Sequence, residues 1–232
     1  GCGIEGHNRK PRYDKLWKPA FWDEVARLCK QCLAKGGSVM VTPGSCNGPN
    51  SQKVRNHAET AFTKAGFEKM STFYWHKPGY KGMNPMHNHK PLPETEQLLV
   101  FSLQKKTLYQ EIGQTPSQIV AEQHTEQHMG IKHLKPVQLY RAIYGMFVPP
   151  AGSVLDITLH TGISAFVARE CKLKFTGIET DRGYYMDACR RLGIPTDGAR
   201  GNLTSVDPVA AQAPPTDPST DCIAAATRLQ AV

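Results

Sequence analysis

The chain has 232 residues, 40% of them hydrophobic, which is enough to bury one full α/β core but short for two domains with separate cores. It contains no apolar run long enough to span a membrane and no secretory signal pattern near its start, so we expect a soluble protein without a membrane partner. The net charge is +8, and the residues before Gly201 carry about +10 because the remainder holds one arginine against three aspartates. Such a balance favours nucleic acid as a partner, although many basic organellar proteins bind none.

The first part of the chain alternates helices with short apolar strands. Hydrophobic residues recur at helical spacing and then give way to β-branched runs bounded by glycine. This predicts a helix over Phe21–Leu33, a strand over Ser38–Thr42 stopped by Pro43-Gly44, a helix over Ser51–Ala65 and a strand over Phe67–Trp75. The order helix, strand, helix, strand favours a parallel α/β layer.

Two polar stretches interrupt the middle of the chain. Residues 76–95 are rich in Lys, Gly, Pro, His and Asn and predict a long basic loop, followed by a strand over Glu96–Leu103. The polar insertion over 104–130 predicts a partly helical or disordered segment. Pro136–Phe147 has the pattern of an amphipathic helix that begins near Pro136.

The most regular pattern in the chain follows this helix. It predicts a strand over Ser153–Asp156, a helix over Ile163–Cys171, a strand over Lys174–Glu179 and a helix over Tyr184–Leu192. We therefore expect one domain over residues 17–192, with an N-terminal extension over 1–16 and a flexible tail over 193–232. The expected fold is α/β and Rossmann-like, with a mostly parallel sheet and helices on both faces.

Cysteine and histidine spacings raise the alternative of a metal site. Cys29 and Cys32 form a C-x-x-C pair that Cys46 and His57 could complete, but both cysteines fall within an amphipathic helix pattern that favours packing. Two histidine pairs have usable spacings without acidic or thiol neighbours, namely His87 with His89 and His124 with His128. We predict no metal site, and the odd count of seven cysteines favours a reducing intracellular compartment such as the nucleus or mitochondrion.

The segment between the strands at 153–156 and 174–179 has the spacing of a nucleotide-cofactor site. Such a site needs a tight turn after the first strand and an acidic residue about twenty positions later to receive ribose hydroxyls. Gly162 is the one glycine in the turn, and Glu179 occupies the acidic position.

Ordered features around this segment resemble the C-terminal half of the permuted DNA amino-methyltransferases, which modify adenine N6 or cytosine N4. The features are Lys135-Pro136, then Pro150–Asp156, then Gly162-Ile-Ser164, then Phe175–Asp181 with Tyr184-Tyr185. The helix over 21–33 with Gly36-Gly37 and the strands at Phe67–Trp75 and Glu96–Phe101 resemble the other half more loosely. Another Rossmann enzyme remains the alternative.

The resemblance implies which residues hold S-adenosylmethionine. By position in the family's motifs these are Lys135, Pro136, Asp156, Thr158, Gly162, Ser164 and Glu179. Two departures indicate that cofactor binding is weak or lost: Ile157 replaces the family's proline, and His160 replaces its first glycine, which places a side chain where the cofactor would lie.

The family's Asp-Pro-Pro-Tyr catalytic loop is expected upstream of Trp17, where the sequence Gly1–His7 does not fit it. Pro149-Pro150 and Pro214-Pro215 do not follow an apolar strand that ends in Asp or Asn, so no catalytic residue is assigned. Either the loop lies outside these residues or it has been lost.

Two functional hypotheses follow. The first is a catalytically degenerate relative that serves as a structural or nucleic-acid-binding subunit of a larger nucleoprotein assembly, such as a mitochondrial ribosome, alongside other protein subunits. Its nucleic-acid contacts would be Lys77, Tyr80, Lys81 and Lys90 in the basic loop, for which a solvated surface loop is the alternative. The second is an active S-adenosylmethionine-dependent methyltransferase whose catalytic loop lies upstream or on a partner.

Overall fold

The computed structural model describes residues 18–45, 49–78, 95–104, 118–120, 124–126, 131–195 and 202–204. Within these residues the chain forms five helices and nine strands. The helices are α1 Pro19–Cys32, α2 Pro49–Lys64, α3 Val137–Phe147, α4 Ile163–Glu170 and α5 Arg182–Leu192. The strands are β1 Val39–Ser45, β2 Glu68–His76, β3 Thr95–Ser102, β4 Gln118–Val120, β5 His124–Glu126, β6 Ile131–Leu134, β7 Ser153–Asp156, β8 Lys174–Ile178 and β9 Asn202–Thr204.

The helix ends follow from local chemistry that the sequence already carries. Pro19 lies in the first turn of α1, where its missing N–H costs no hydrogen bond. At α5 the carboxylate of Asp181 caps the helix by accepting from the backbone N–H groups of Gly183 and Tyr184. The same helix ends at Gly193, which adopts the left-handed conformation at φ 67°. The predicted helices are therefore confirmed to within a few residues.

The first sheet has the order β1-β3-β2-β4. Strand β3 lies between β1 and β2 and is antiparallel to both, so β1 and β2 run in the same direction without pairing with each other. Strand β4 is parallel to β2. Three of these four strands thus share one direction, and the reversed β3 is a feature that the simple alternation of helices and strands did not predict.

Strand β1 continues through Pro43-Gly44, where a stop was predicted. The ladder with β3 pairs Val41 with Leu99 and then Gly44 with Gln97, and the register shifts between them. A bulge of this kind absorbs a proline without ending the strand.

The second main sheet has the order β7-β8-β9. Strands β7 and β8 are parallel from Ser153 opposite Lys174 to Asp156 opposite Gly177, and α4 connects them. The predicted β-α-β unit is therefore confirmed. Strand β9 pairs antiparallel with β8, so the prediction of an unstructured tail is wrong for residues 202–204.

The polar insertion also contains strands. Strand β4 joins the first sheet, and β5 pairs antiparallel with β6. The prediction of a helical or disordered segment is therefore wrong for 118–120 and 124–126. The partner of β4 is distant in sequence, whereas β5 pairs with the nearby β6. The rest of the insertion lies outside the described residues.

Two hydrophobic clusters hold these elements together. The larger one joins residues of β2 and β3 to α3, α4, β8 and α5, so the two main sheets share one core. Trp75, Leu139 and Val167 are among its almost fully buried members. The smaller cluster packs α1 and α2 against β1 and β3 around Phe62 and Phe101, whose rings stack with centroids 4.6 Å apart.

The close approach of α4 to α5 gives a first prediction. Gly162 has φ 79°, and a Cβ added there would lie 2.8 Å from the Cβ of Ala188. Because backbone strain and a steric clash combine, we expect Gly162→Ala to lower the free energy of unfolding by about 3 kcal/mol in urea titrations.

Gly193→Ala is the matched control, because Gly193 has φ 67° but nothing within 4 Å of an added Cβ. This variant should lower the free energy of unfolding by about 1 kcal/mol, because only the left-handed backbone conformation opposes the alanine. Equal losses for the two variants would contradict the packing argument.

Candidate functional site

The carboxylate of Asp156, at the end of β7, organises the turn that follows it. Its Oδ1 accepts hydrogen bonds from the backbone N–H of Thr158 at 2.9 Å and from the Thr158 hydroxyl at 3.2 Å. Its Oδ2 accepts from the hydroxyl of Ser164, on α4, at 2.6 Å. Three predicted site residues are thus brought together, and Asp156 closes the turn between β7 and α4.

Glu179, directly after β8, fixes the other side of the same turn. Its Oε2 accepts from the backbone N–H of His160 and its Oε1 from the backbone N–H of Asp181, both at 2.8 Å. Burial raises the pKa of Glu179, and the N–H bonds from Asp181 and His160 oppose that rise. The backbone N–H of Thr180 also bonds this carboxylate, but a carboxylate has more acceptor sites than these N–H groups use, so Glu179 can still accept a hydrogen bond from a ligand.

The start of α4 combines an open helix end with an unpartnered hydroxyl. Gly162 is the N-cap residue and supplies no side-chain cap. Thr161 is 1% exposed, and its Oγ1 has no hydrogen-bond partner. Buried hydroxyls are normally satisfied and helix N-termini favour anions, so this end of α4 has the chemistry of a ligand site. Sequence reasoning missed Thr161, since nothing in the motif marks it as buried.

His160 occupies the middle of the turn in a left-handed conformation, with φ 52°. Its ring lies against the ring of Tyr184, with centroids 4.0 Å apart and an interplanar angle of 38°. Burial lowers the pKa of His160, the charge of Lys135 lowers it further, and Asp187, Asp156 and Asp181 act in the opposite direction. The imidazole is therefore neutral at neutral pH. The contact with Tyr184 was not foreseen, because the two residues are far apart along the chain.

Helix α3 contributes Tyr140 and Tyr144 near Asp156. Pro136 is its buried N-cap residue, and the half-buried Lys135 precedes it. Tyr144 donates a hydrogen bond from its hydroxyl to the carbonyl oxygen of Ser164 at 3.2 Å. Burial raises the pKa of both Tyr140 and Tyr144 above the ordinary range, and the charge of Asp156 adds to the rise. Both phenols are therefore neutral hydrogen-bonding groups.

The prediction that Lys77 contacts nucleic acid from an exposed loop is wrong. Lys77 is 3% exposed, its Nζ lies 3.0 Å from Glu96 Oε1, and the same Nζ lies 5.2 Å from the centre of the Trp75 ring. A buried ammonium that is paired in this way links the end of β2 to β3 and is not available to phosphate. Tyr80, Lys81 and Lys90 lie outside the described residues.

Among the residues that the structure describes, no group of three or more His, Cys, Asp or Glu side chains could hold a metal ion. Burial raises the pKa of the Cys29 thiol to about 12, so it is a neutral packing group in α1. Cys46, His87, His89 and His128 lie outside the described ranges. No described helix has the length and hydropathy needed to cross a membrane.

Comparison with known proteins places this geometry in context. Residues 13–190 match the family described as DNA methylase, N6_N4_Mtase. A search of curated proteins found no match.

Solved structures with a similar fold include M1.HpyAVI, with a TM-score of 0.61 and 18% identity over 80% of this chain and 85% of that chain. The cytosine-N4-specific PvuII DNA methyltransferase has a TM-score of 0.58 and 16% identity over 84% of this chain and 70% of that one. A putative DNA modification methylase from Thermus thermophilus, complexed with S-adenosyl-L-methionine, has a TM-score of 0.52 and 19% identity over 83% of each chain. These likenesses confirm the expected α/β methyltransferase fold.

The lowered pKa of His160 predicts how stability depends on pH. The folded state holds the neutral imidazole, whereas the unfolded chain takes up a proton near pH 6.5, so this residue's contribution to stability is present above that pH and is lost as pH falls below it. We expect the melting temperature to drop less between about pH 7.5 and about pH 5.5 in His160→Asn than in the unmodified chain. Asparagine tolerates the left-handed conformation, so backbone strain changes little. An equal drop in both proteins would contradict this assignment.

Proposed function

We propose that the chain is a catalytically degenerate member of its family. The chain belongs to the DNA methylase family, which modifies adenine N6 and cytosine N4. In this proposal it serves as a structural or nucleic-acid-binding subunit of a larger nucleoprotein assembly. The observation that carries the proposal is the position of His160, which lies in the turn between β7 and α4 and whose ring packs against Tyr184.

The framework of the site suits S-adenosylmethionine, which supplies a methyl group to the enzymes that bind it. Glu179 would accept ribose hydroxyls through its free lone pairs, and the N-terminus of α4 with the unpartnered Thr161 hydroxyl would hold polar ligand atoms. Asp156 and Ser164 would keep the turn in shape. These residues fit the cofactor, and two complexes of structural relatives contain it.

The side chain of His160 acts against that framework. The backbone N–H of His160 donates to Glu179. The imidazole is therefore carried by the residue of the turn that contacts this carboxylate. A glycine there would leave room for a ligand, whereas His160 adds a neutral ring that packs on Tyr184. In this proposal Glu179 is bonded by the turn's own backbone, and cofactor binding is weak or lost.

Basic charge supports the nucleic-acid part of the proposal. The chain has a net charge of +8, and the family to which it belongs acts on DNA. The remaining contact candidates are Tyr80, Lys81 and Lys90. We propose a nuclear or mitochondrial assembly, including a mitochondrial ribosome, on the basis of this charge and the reduced cysteines.

An active methyltransferase is the second candidate. It is favoured by the retained hydrogen bonds of Asp156 and Glu179 and by the unpartnered Thr161 hydroxyl, which a bound ligand would satisfy. Its catalytic loop would come from sequence upstream of residue 1 or from a partner.

Calorimetric titration with S-adenosylmethionine separates the two candidates. We expect no binding by the unmodified chain up to about 1 mM cofactor, because His160 occupies the site, and at least about tenfold tighter binding by His160→Gly. Adding Glu179→Gln to His160→Gly should remove that gain. Micromolar binding by the unmodified chain would overturn the degenerate assignment in favour of the active enzyme.

Salt-dependent binding to duplex DNA and to RNA tests the nucleic-acid role. We expect Lys81→Ala and Lys90→Ala each to reduce the slope of log K against log salt by about 1, since each removes one phosphate contact. Lys174→Ala, at the exposed start of β8, removes the same charge elsewhere and should leave the slope unchanged. Equal effects at all three lysines would indicate a general charge effect without a defined contact surface.

A further inference from the structure

One face of α5 supports the turn between β7 and α4. The ring of Tyr184 lies against the ring of His160, with centroids 4.0 Å apart. One helical turn further on, a Cβ added at Gly162 would lie 2.8 Å from the Cβ of Ala188, so helix and turn are in close contact there. Arg191 follows at the next helical spacing and therefore lies on the same face of α5.

The contact that Arg191 makes is a hydrogen bond to the backbone of the turn. Its Nε donates to the carbonyl oxygen of Thr161 at 2.8 Å. The next N–H along the chain, which belongs to Gly162, donates to the carbonyl oxygen of Leu159 at 3.0 Å. A peptide group is planar, so bonds at its carbonyl and at its N–H together fix the orientation of the whole plane. The plane fixed here is the one through which the chain enters α4.

The turn needs support from outside because its backbone is strained. The bond from Gly162 to Leu159 closes a β-turn whose second residue is His160, with φ 52°. A positive φ at that position favours glycine, so the histidine raises the free energy of the folded turn. Bonds from neighbouring elements must offset that strain.

The bond from Arg191 is suited to this task by charge and burial. A guanidinium is always charged, and hydrogen bonds from charged donors are stronger than those between neutral groups. Thr161 is 1% exposed and Arg191 is half-buried, so little water competes for the carbonyl oxygen. Loss of the donor would leave a buried carbonyl without this partner, which is unfavourable.

We propose that Arg191 is a positioning residue of the ligand site. By holding the carbonyl oxygen of Thr161, it keeps the turn in the shape in which Glu179 and the start of α4 receive an adenosyl ligand. Arg191 acts through the turn and does not touch the ligand. The inference rests on the ligand framework of the proposed function, and it is independent of whether His160 weakens binding.

The effect of Arg191 reaches Glu179 through a single residue. His160 directly precedes Thr161, and its backbone N–H donates to Glu179 Oε2 at 2.8 Å. If the turn were released from Arg191, this N–H would move and the carboxylate would lose the bond. Because that bond lowers the pKa of Glu179, its loss would raise the pKa.

Two neutral substitutions isolate the hydrogen bond from the charge. In Arg191→Gln the amide nitrogen lies the same number of bonds from the backbone as the Nε of arginine, so the donor is kept without the charge. In Arg191→Met the side chain has similar length and no donor. A difference between the two variants therefore reports the bond to Thr161 alone.

Arg169→Met is the matched control. Arg169 is also half-buried, and its Nη1 donates to the carbonyl oxygen of Leu192 at the same distance of 2.8 Å. That bond joins α4 to the end of α5 but does not touch the turn. Arg169→Met and Arg191→Met should lower the midpoint of urea unfolding to a similar extent, whereas only Arg191→Met should alter the site.

The first test needs no ligand and uses the full chain. The pKa of Glu179 is followed by the carbon-13 resonance of its carboxyl group, which is assigned by its loss in Glu179→Gln. We expect a higher pKa in Arg191→Met than in Arg191→Gln, and no change in Arg169→Met. Equal pKa values in the two Arg191 variants would overturn the proposal.

The second test measures ligand affinity by calorimetry in the His160→Gly chain, or in the unmodified chain if that binds. We expect Arg191→Met to weaken S-adenosylmethionine binding at least about tenfold and Arg191→Gln by no more than about threefold. A loss of the same size in Arg169→Met would show a purely structural role and refute positioning. If neither chain binds the cofactor, the ligand framework of the proposed function fails, and the pKa comparison still decides whether Arg191 positions the turn.

Discussion

The carboxylate of Glu179 is the interaction on which the site depends, because it ties together segments that would otherwise move independently. It accepts one backbone N–H from the turn after β7 and one from the residue that caps α5. The N–H of Leu159 adds a third link by donating to the carbonyl oxygen of Ile178 at 3.0 Å. The turn is therefore held against the end of β8, and α4 begins directly after it at the left-handed Gly162.

The sequence predicted the elements around this carboxylate well, since their signals are local. A capping aspartate, a helix-ending glycine and a strand-turn-helix spacing are each readable within a few residues. The position of β3 between β1 and β2, and the pairing of β9 with β8, were not predicted, because strand partners are chosen by contacts distant in sequence. Lys77 was misassigned for a related reason: a lysine beside a polar loop indicates exposure unless its partner is known. Glu96 is that partner, and the pair forms only because β2 and β3 are neighbours.

His160 also combines a local signal, which the sequence shows, with a contact distant in sequence, which it does not. Its place in the turn was predicted from the family pattern, but its contact with Tyr184 depends on the packing of α5. A non-glycine residue in the left-handed region costs on the order of 1 kcal/mol, and an aromatic contact can recover about that much. The turn can therefore keep its backbone path while the side chain at this position changes.

The location of β7 connects the turn between β7 and α4 to the rest of the molecule. Asp156 ends a strand of only four residues, and that strand is supported by a ladder on one side alone within the described residues. A carboxylate that must hold Thr158 and Ser164 in place is only as rigid as the strand that carries it. The turn is anchored to α4 as well as to β7, because Ser164, which donates to Asp156, belongs to that helix.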